Sequence, residues 1–208
     1  MTKFEKVSYE QFEKDWLDIF IDTPEFAAHK YVNIKLPKRA TKSSAGYDFY
    51  SPKDFILNSG ETILIPTGIK IKLPSNKFLA IAPRSGLGFK YRLQLDNTIG
   101  IIDADYYNCE KNEGHIMIKI TNDSKDCKLL EIKQGEAFAQ GIILNYGLTD
   151  DDVSKEERTG GFGSTTTCDD TVMPDISYNP YTITCTSSGL SATTTIDNAL
   201  AIDKQNLE

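Results

Sequence analysis

The chain is predicted to fold as an all-β sandwich or barrel, and three observations predict it. Short apolar runs of strand length recur from Val32 onward. Turn-forming residues punctuate them, among them Ser59-Gly60, Pro74-Ser75-Asn76 and Asn122-Asp123-Ser124. No GxGxxG follows a strand, and there is no alternating strand–helix pattern of the kind that builds a parallel sheet.

Before the β region, Ser8-Tyr9-Glu10-Gln11 fits a capping box, and Phe12, Trp16 and Phe20 recur at i, i+4 and i+8. This spacing predicts a short amphipathic helix over 8–20. A stripe of that kind ordinarily packs on its own protein; a surface for a protein partner is the rival reading. The runs that predict strands are Ile63-Leu64-Ile65, Ile69 to Leu73, Phe78 to Ala82, Ile116 to Ile120 and Ala137 to Leu144.

After Thr165 the composition changes. Residues 166–208 carry nine Thr, four Ser and six acids against one Lys, which is −5 of the chain's net −7. So polar a segment has little to bury and reads as an appended tail, disordered or loosely docked. One or two strands are expected within TVMPDISYNPYTITCT. The expected organisation is an N-terminal extension over 1–31, a β domain over 32–165 and the tail over 166–208.

At 208 residues the chain can form one domain with a substantial core, and 39% apolar with 25% charged residues is ordinary for a globular protein. The net negative charge supplies no basic field for a nucleic-acid backbone, so nucleic-acid binding is not expected. The first sixteen residues contain no apolar signal-like region, and no stretch reaches membrane-spanning length. Cys109, Cys127, Cys168 and Cys185 form no CxxC pair. Free thiols and a cytoplasmic location are therefore the expectation.

Five stretches carry chemistry. Asp48 follows a small-residue turn in Ala45-Gly46-Tyr47-Asp48-Phe49. Arg84, Ser85 and Gly86 stand directly after an apolar run in PRSGLG. The run Gly100-Ile101-Ile102 leads into Asp103-Ala104-Asp105, then Tyr106 and Tyr107. Gln140 sits in GEAFAQ where an apolar residue would be expected, and Arg158 to Thr165 is the glycine-rich RTGGFGST. Asp is a poor strand former, and period-2 alternation would put Asp103 and Asp105 on one side of an extended chain. As a set these residues suit a polyphosphate. Glycines let backbone N–H groups approach phosphate oxygens, Ser and Thr add donors, and Arg offers a planar fork. Phe162, between glycines, can lie flat against a base.

In this order, AGYDF, PRSGLGFK, NTIGIIDADYY, GEAFAQG and RTGGFGST resemble the five motifs of the trimeric dUTP diphosphatase (dUTPase) family, over roughly Val32 to Thr165. The resemblance implies a distorted β-barrel or jelly roll that assembles as a homotrimer, with active sites shared between chains. It implies hydrolysis of dUTP to dUMP and pyrophosphate, with water attacking the α-phosphorus and Mg²⁺ on the triphosphate rather than held directly by the protein. Asp103 matches the base that activates the water. Tyr106 matches the tyrosine that packs on the deoxyribose. Asn97, with main-chain groups of Gly100 to Ile102, falls where the family reads uracil. Arg84, Ser85, Gly86 and Gln140 match the phosphate-binding motifs, and Asp48 the acid that organises them by orienting Arg84 or metal-bound waters. Phe162 matches the ring that stacks on uracil, while Arg158, Gly163, Ser164 and Thr165 match the arm that covers the phosphates. Asp105 is given a supporting role.

The chain departs from the family pattern after Tyr106. The family turns at once through a Gly-Glu pair, whereas here Tyr107 to Asn112 intervene before Glu113-Gly114-His115, implying a longer loop beside the site mouth. The arm ends GFGSTT rather than GFGSTG, and the long tail is additional. Two rival functions remain. A dCTP deaminase shares the fold but carries a catalytic Glu in the strand that here reads HIMIKI, which has none. A regulatory protein of this fold would bind a protein partner through the extra helix or the tail.

Overall fold

The computed structural model describes residues 1–154, 181–186 and 189–194. It divides into two units, residues 1–167 and 168–208. The first unit opens with β1 (Lys3–Lys6), α1 (Tyr9–Ile19) and α2 (Pro24–Val32). Short strands follow: β2 (Lys38–Arg39), β3 (Tyr47–Tyr50), β4 (Phe55–Leu57), β5 (Thr62–Pro66), β6 (Ile69–Lys72) and β7 (Lys77–Pro83). Then come a two-turn helix α3 (Ser85–Tyr91), β8 (Leu93–Leu95), β9 (Gly100–Ile102) and a 3₁₀ turn at Ala104–Tyr106. The unit's last strands are β10 (Met117–Asn122), β11 (Leu130–Ile132) and β12 (Ala137–Asn145).

All the pairings are antiparallel. A five-stranded sheet runs β2-β3-β12-β7-β9, a three-stranded sheet runs β5-β10-β8, and β1-β6 and β4-β11 form ribbons. The alternation along β10 explains the arrangement: Ile118 and Ile120 are buried while Lys119 between them is exposed. Phe49, Leu79, Ile81 and Phe138 from the larger sheet share one apolar cluster with Ile65, Ile118 and Ile120 from the smaller. The all-β fold read from the sequence is thus present, and β5, β6, β7, β10 and β12 fall on the five predicted runs.

The N-terminal segment, expected as an extension, is built into this unit. β1 pairs with β6, and Phe12 and Trp16 of α1 are fully buried in the core. Burying each such ring contributes roughly 1.5–3 kcal/mol, so the apolar stripe is spent on the chain's own fold. Ser8 caps α1 by accepting from Gln11 N at 3.1 Å. The other arm of the expected capping box is different: Ser8 N donates to Glu113, 105 residues away, and Gln11 Nε2 instead donates to Asp15. Helix α2 was not anticipated, although Thr23 as N-cap with Pro24 behind it is a helix-start signal. Cys109 is a buried free thiol, whereas Cys127 is disulfide-bonded, contrary to the expectation of free thiols.

In the second unit, β13 (Tyr181–Thr186) pairs antiparallel with β14 (Gly189–Thr194) in the register Tyr181↔Thr194 to Thr186↔Gly189. The first of these lies within the stretch expected to hold strands, the second beyond it. Among the described residues no helix is long and apolar enough to cross a membrane.

Candidate active site

The hairpin formed by β8 and β9 has one strand in each main sheet. Leu93 to Leu95 pair with β10, while Gly100 to Ile102 pair with β7 at the edge of the larger sheet. The turn between them, with Thr98 at φ 68°, therefore spans the gap between the sheets. A cavity of about 600 Å³ lies under it. Asn97, Gly100, Ile102, Asp103 and Tyr106 all line this cavity, against an apolar wall of Leu64, Ile81, Leu95, Met117 and Ile118. At the rim Lys119 Nζ lies 2.9 Å from Asp96 Oδ2. Burial pushes the Asp96 carboxyl up, but the Thr121 hydroxyl and Lys119 outweigh it and hold it below the usual carboxylate range.

The two carboxylates of Asp103-Ala104-Asp105 do not share a side, as strand alternation would require. Asp103 is still extended, the chain leaves that geometry at Ala104 where the 3₁₀ turn begins, and the turn rotates Asp105 away. Asp103 is half-buried and lines the cavity, whereas Asp105 is exposed and does not. Tyr106 is 6% exposed. Its hydroxyl donates to His115 O at 3.0 Å and accepts from Asn112 Nδ2 at 2.7 Å.

The residues read as phosphate-binding gather elsewhere, at the ends of β3, β12 and β7. Gln140 pairs with Asp48 on one side and Ala82 on the other, and its Nε2 donates to Pro83 O at 3.0 Å. Gly46 is needed for this approach, since a Cβ there would lie 2.4 Å from Gln140 Oε1. Arg84 Nε lies 3.2 Å from Asp48 Oδ1. PRSGLGFK, which follows β7, becomes the N-cap and first turns of α3, with Ser85 and Gly86 exposed. Arg84, Ser85, Gly86, Lys90, Glu131 and Glu136 border a second cavity, also of about 600 Å³. The two cavities share no lining residue. Arg158, Phe162, Gly163, Ser164 and Thr165 lie outside the described residues.

Sequence reasoning missed the role of the loop after Tyr106. Rather than merely flanking the site, it closes back on itself and grips the N-terminal elements. Glu113 accepts from Ser8 N at 3.0 Å, from Ser8 Oγ at 2.5 Å and from Lys70 at 3.0 Å, and Tyr107 donates to Glu5. His115 is fully buried. Its Nε2 accepts from Gly68 N at 2.7 Å, so the ring proton sits on Nδ1 and is donated to Asp15 Oδ2 at 2.6 Å. An acidic residue and a histidine on either side of a glycine were the available signal.

Among the described residues no group of three or more His, Cys, Asp or Glu side chains is placed to hold a metal ion. An ion such as magnesium, which keeps several waters and takes its ligands mainly from substrate phosphates, would need no such cage.

The dUTPase family model matches residues 32–166. A deoxyuridine 5'-triphosphate nucleotidohydrolase from Lactococcus lactis is 40% identical over 139 residues, 66% of this chain and 91% of that protein. The chain belongs to the dUTPase family. A second such enzyme, from Methylobacillus flagellatus, is 39% identical and aligns over 62% of this chain and 87% of its own length. Among solved structures, the dUTPase of Streptococcus mutans is 31% identical, with a TM-score of 0.53 over 71% of this chain and 98% of its own. This dUTPase is accordingly a dUTP nucleotidohydrolase.

Proposed function

We propose that this dUTPase converts dUTP to dUMP and pyrophosphate with Asp103 as the base that activates the attacking water. One observation carries the reading: Asn97, Gly100, Ile102, Asp103 and Tyr106 line a single cavity. The main-chain groups of Gly100 to Ile102 and the Asn97 amide present hydrogen-bonding edges to uracil. The ring of Tyr106 forms the floor for deoxyribose. Asp103, at the end of the same hairpin, stands where the chain passes from base recognition to the phosphates. A positioned carboxylate base is worth about 10²–10⁴-fold. The protein must also offset the roughly four negative charges of the triphosphate that face an oxyanion nucleophile. Arg84, aligned by Asp48, with Ser85, Gly86 and Gln140 beside it, binds phosphate oxygens. Arg158, Gly163, Ser164 and Thr165 cover them, and Phe162 stacks on the base. Mg²⁺ bound to the triphosphate would neutralise charge on its oxygens, with Asp48 ordering the ion's waters.

That the base-and-sugar cavity and the phosphate cavity share no residue within one chain supports a homotrimer in which each active site is assembled from more than one chain. A cytoplasmic setting suits a nucleotide substrate. A protein partner would have to use the outer surface of α1 and α2 or the tail, since Phe12 and Trp16 are buried. The test is pyrophosphate release from dUTP, UTP, dCTP and dTTP with Mg²⁺. Turnover of dUTP alone is expected; ammonia release from dCTP would overturn the reading in favour of a deaminase, and no turnover would favour a binding protein.

A further inference from the structure

The loop after Tyr106 holds that tyrosine from three sides. Cys109 N donates to Tyr106 O at 3.2 Å. Asn112 Nδ2 donates to the Tyr106 hydroxyl at 2.7 Å, and the hydroxyl donates onward to His115 O at 3.0 Å. The orientation of the Asn112 amide is fixed by the chain itself. Its Oδ1 accepts from Gly114 N at 3.2 Å and from Cys109 Sγ at 3.1 Å; a backbone N–H can only donate, so the NH₂ faces the tyrosine. Gly114 closes the loop at φ 77°, where a Cβ would lie 2.3 Å from Tyr106 O. The loop is in turn tied to the helix N-cap and β6 through Glu113 and to α1 through His115 and Asp15.

We propose that Asn112 is a positioning residue that sets the enzyme's preference for 2′-deoxyribose by holding the Tyr106 ring against the sugar pocket. This rests on the reading of the first cavity as the nucleoside site. UTP differs from dUTP by one hydroxyl, and an apolar surface that can yield rejects an added hydroxyl only about 10²-fold. A ring hydrogen-bonded at its far end, by a donor that is itself immobilised, cannot tilt away to admit that hydroxyl. The four-residue path from Tyr106 through Asn112 and Glu113 to Ser8 makes the N-terminal helix part of the support for sugar selection.

The experiment compares Asn112→Ala with the wild type in two measurements: calorimetric affinity for dUMP and UMP, and kcat/KM for dUTP and UTP. The deoxy-to-ribo ratio should fall about tenfold in both, the worth of one buried hydrogen bond, with the change carried mainly by a gain for the ribonucleotides. Tyr106→Phe, which removes the hydroxyl that Asn112 holds, should lower the ratio too, and adding Asn112→Ala to it should lower the ratio no further. An unchanged ratio in Asn112→Ala, or equal losses for both sugars, overturns the inference. Should Asn112→Ala fail to fold by thermal unfolding, an unchanged ratio in Tyr106→Phe overturns it instead. A wild type that binds dUMP no better than UMP would overturn the nucleoside reading of the cavity itself.

Discussion

The cavity under the β8–β9 hairpin and the cavity beside Arg84 have the same volume, about 600 Å³, but they are built in opposite ways. The first is walled by side chains from β5, β7, β8, β9 and β10, and its tyrosine is 6% exposed and held by hydrogen bonds at both ends. The second is bordered by exposed Ser85 and Gly86, next to Phe89 at 94% exposure. Its Arg84 side chain is 43% exposed and meets one carboxylate. Selecting a base and a sugar requires a shape that does not yield, and a packed core within one chain supplies that. Binding a triphosphate, the role proposed for the second, requires charge, which can come from several sources, so such a cavity can stay open in a single chain.

Substitutions in the two cavities should accordingly fail differently. The largest effect is expected at Asp103→Asn, with turnover of dUTP falling about 10²–10⁴-fold while nucleotide affinity measured by calorimetry stays close to wild type. Normal turnover would remove Asp103 as the base. Next is Gly114→Ala, a change in the support of the first cavity. It combines a φ of 77° with a Cβ 2.3 Å from a backbone oxygen that cannot step aside, and should cost about 2–4 kcal/mol of folding stability in denaturant titrations. Arg84→Ala should leave stability nearly intact but weaken dUTP by about 10–100-fold, the worth of hydrogen bonds to a charged group. Binding of deoxyuridine, which has no phosphate, should be unchanged; a parallel loss for the nucleoside would erase the division.

Which parts of this were legible in the sequence follows from where the determining interactions lie. Ile116 to Ile120 announced β10 because alternation is a local property. The family was legible because the stretches that carry the resemblance are short and contiguous. Asp105 was misplaced alongside Asp103 because nothing local signals that the chain abandons β geometry directly after Asp103. The cap on Ser8 was half wrong for a related reason. Gln11 was the available nearby partner, and the actual one, Glu113, becomes a neighbour only when the sheets are packed. Asn112 was passed over as loop filler since its three hydrogen bonds exist only once that loop has closed.

The smallest expected effect concerns the ties between the loop and the N-terminal helix, and its sign follows from two carboxyls. Burial pushes Asp15 up, but hydrogen bonds from His115 and Gln11 outweigh it, leaving the carboxyl below its ordinary value. Burial likewise pushes Glu113 up, and the Ser8 hydroxyl, Ser8 N–H and Lys70 outweigh it in the same direction. Both groups are therefore more acidic folded than unfolded. The stability they contribute is complete above the unfolded values of about 4, and is lost as pH falls through the lower, folded values. Thermal midpoints should accordingly decline below about pH 4, and Asp15→Asn should be less stable at neutral pH yet decline less on acidification. Arg84→Ala, acting on the open cavity, should keep the wild-type acid profile. An Asp15→Asn profile parallel to wild type would mean that the buried Asp15–His115 pair does not tie the helix to the sugar-holding loop, and the first cavity would then owe its rigidity to the β-sheets alone.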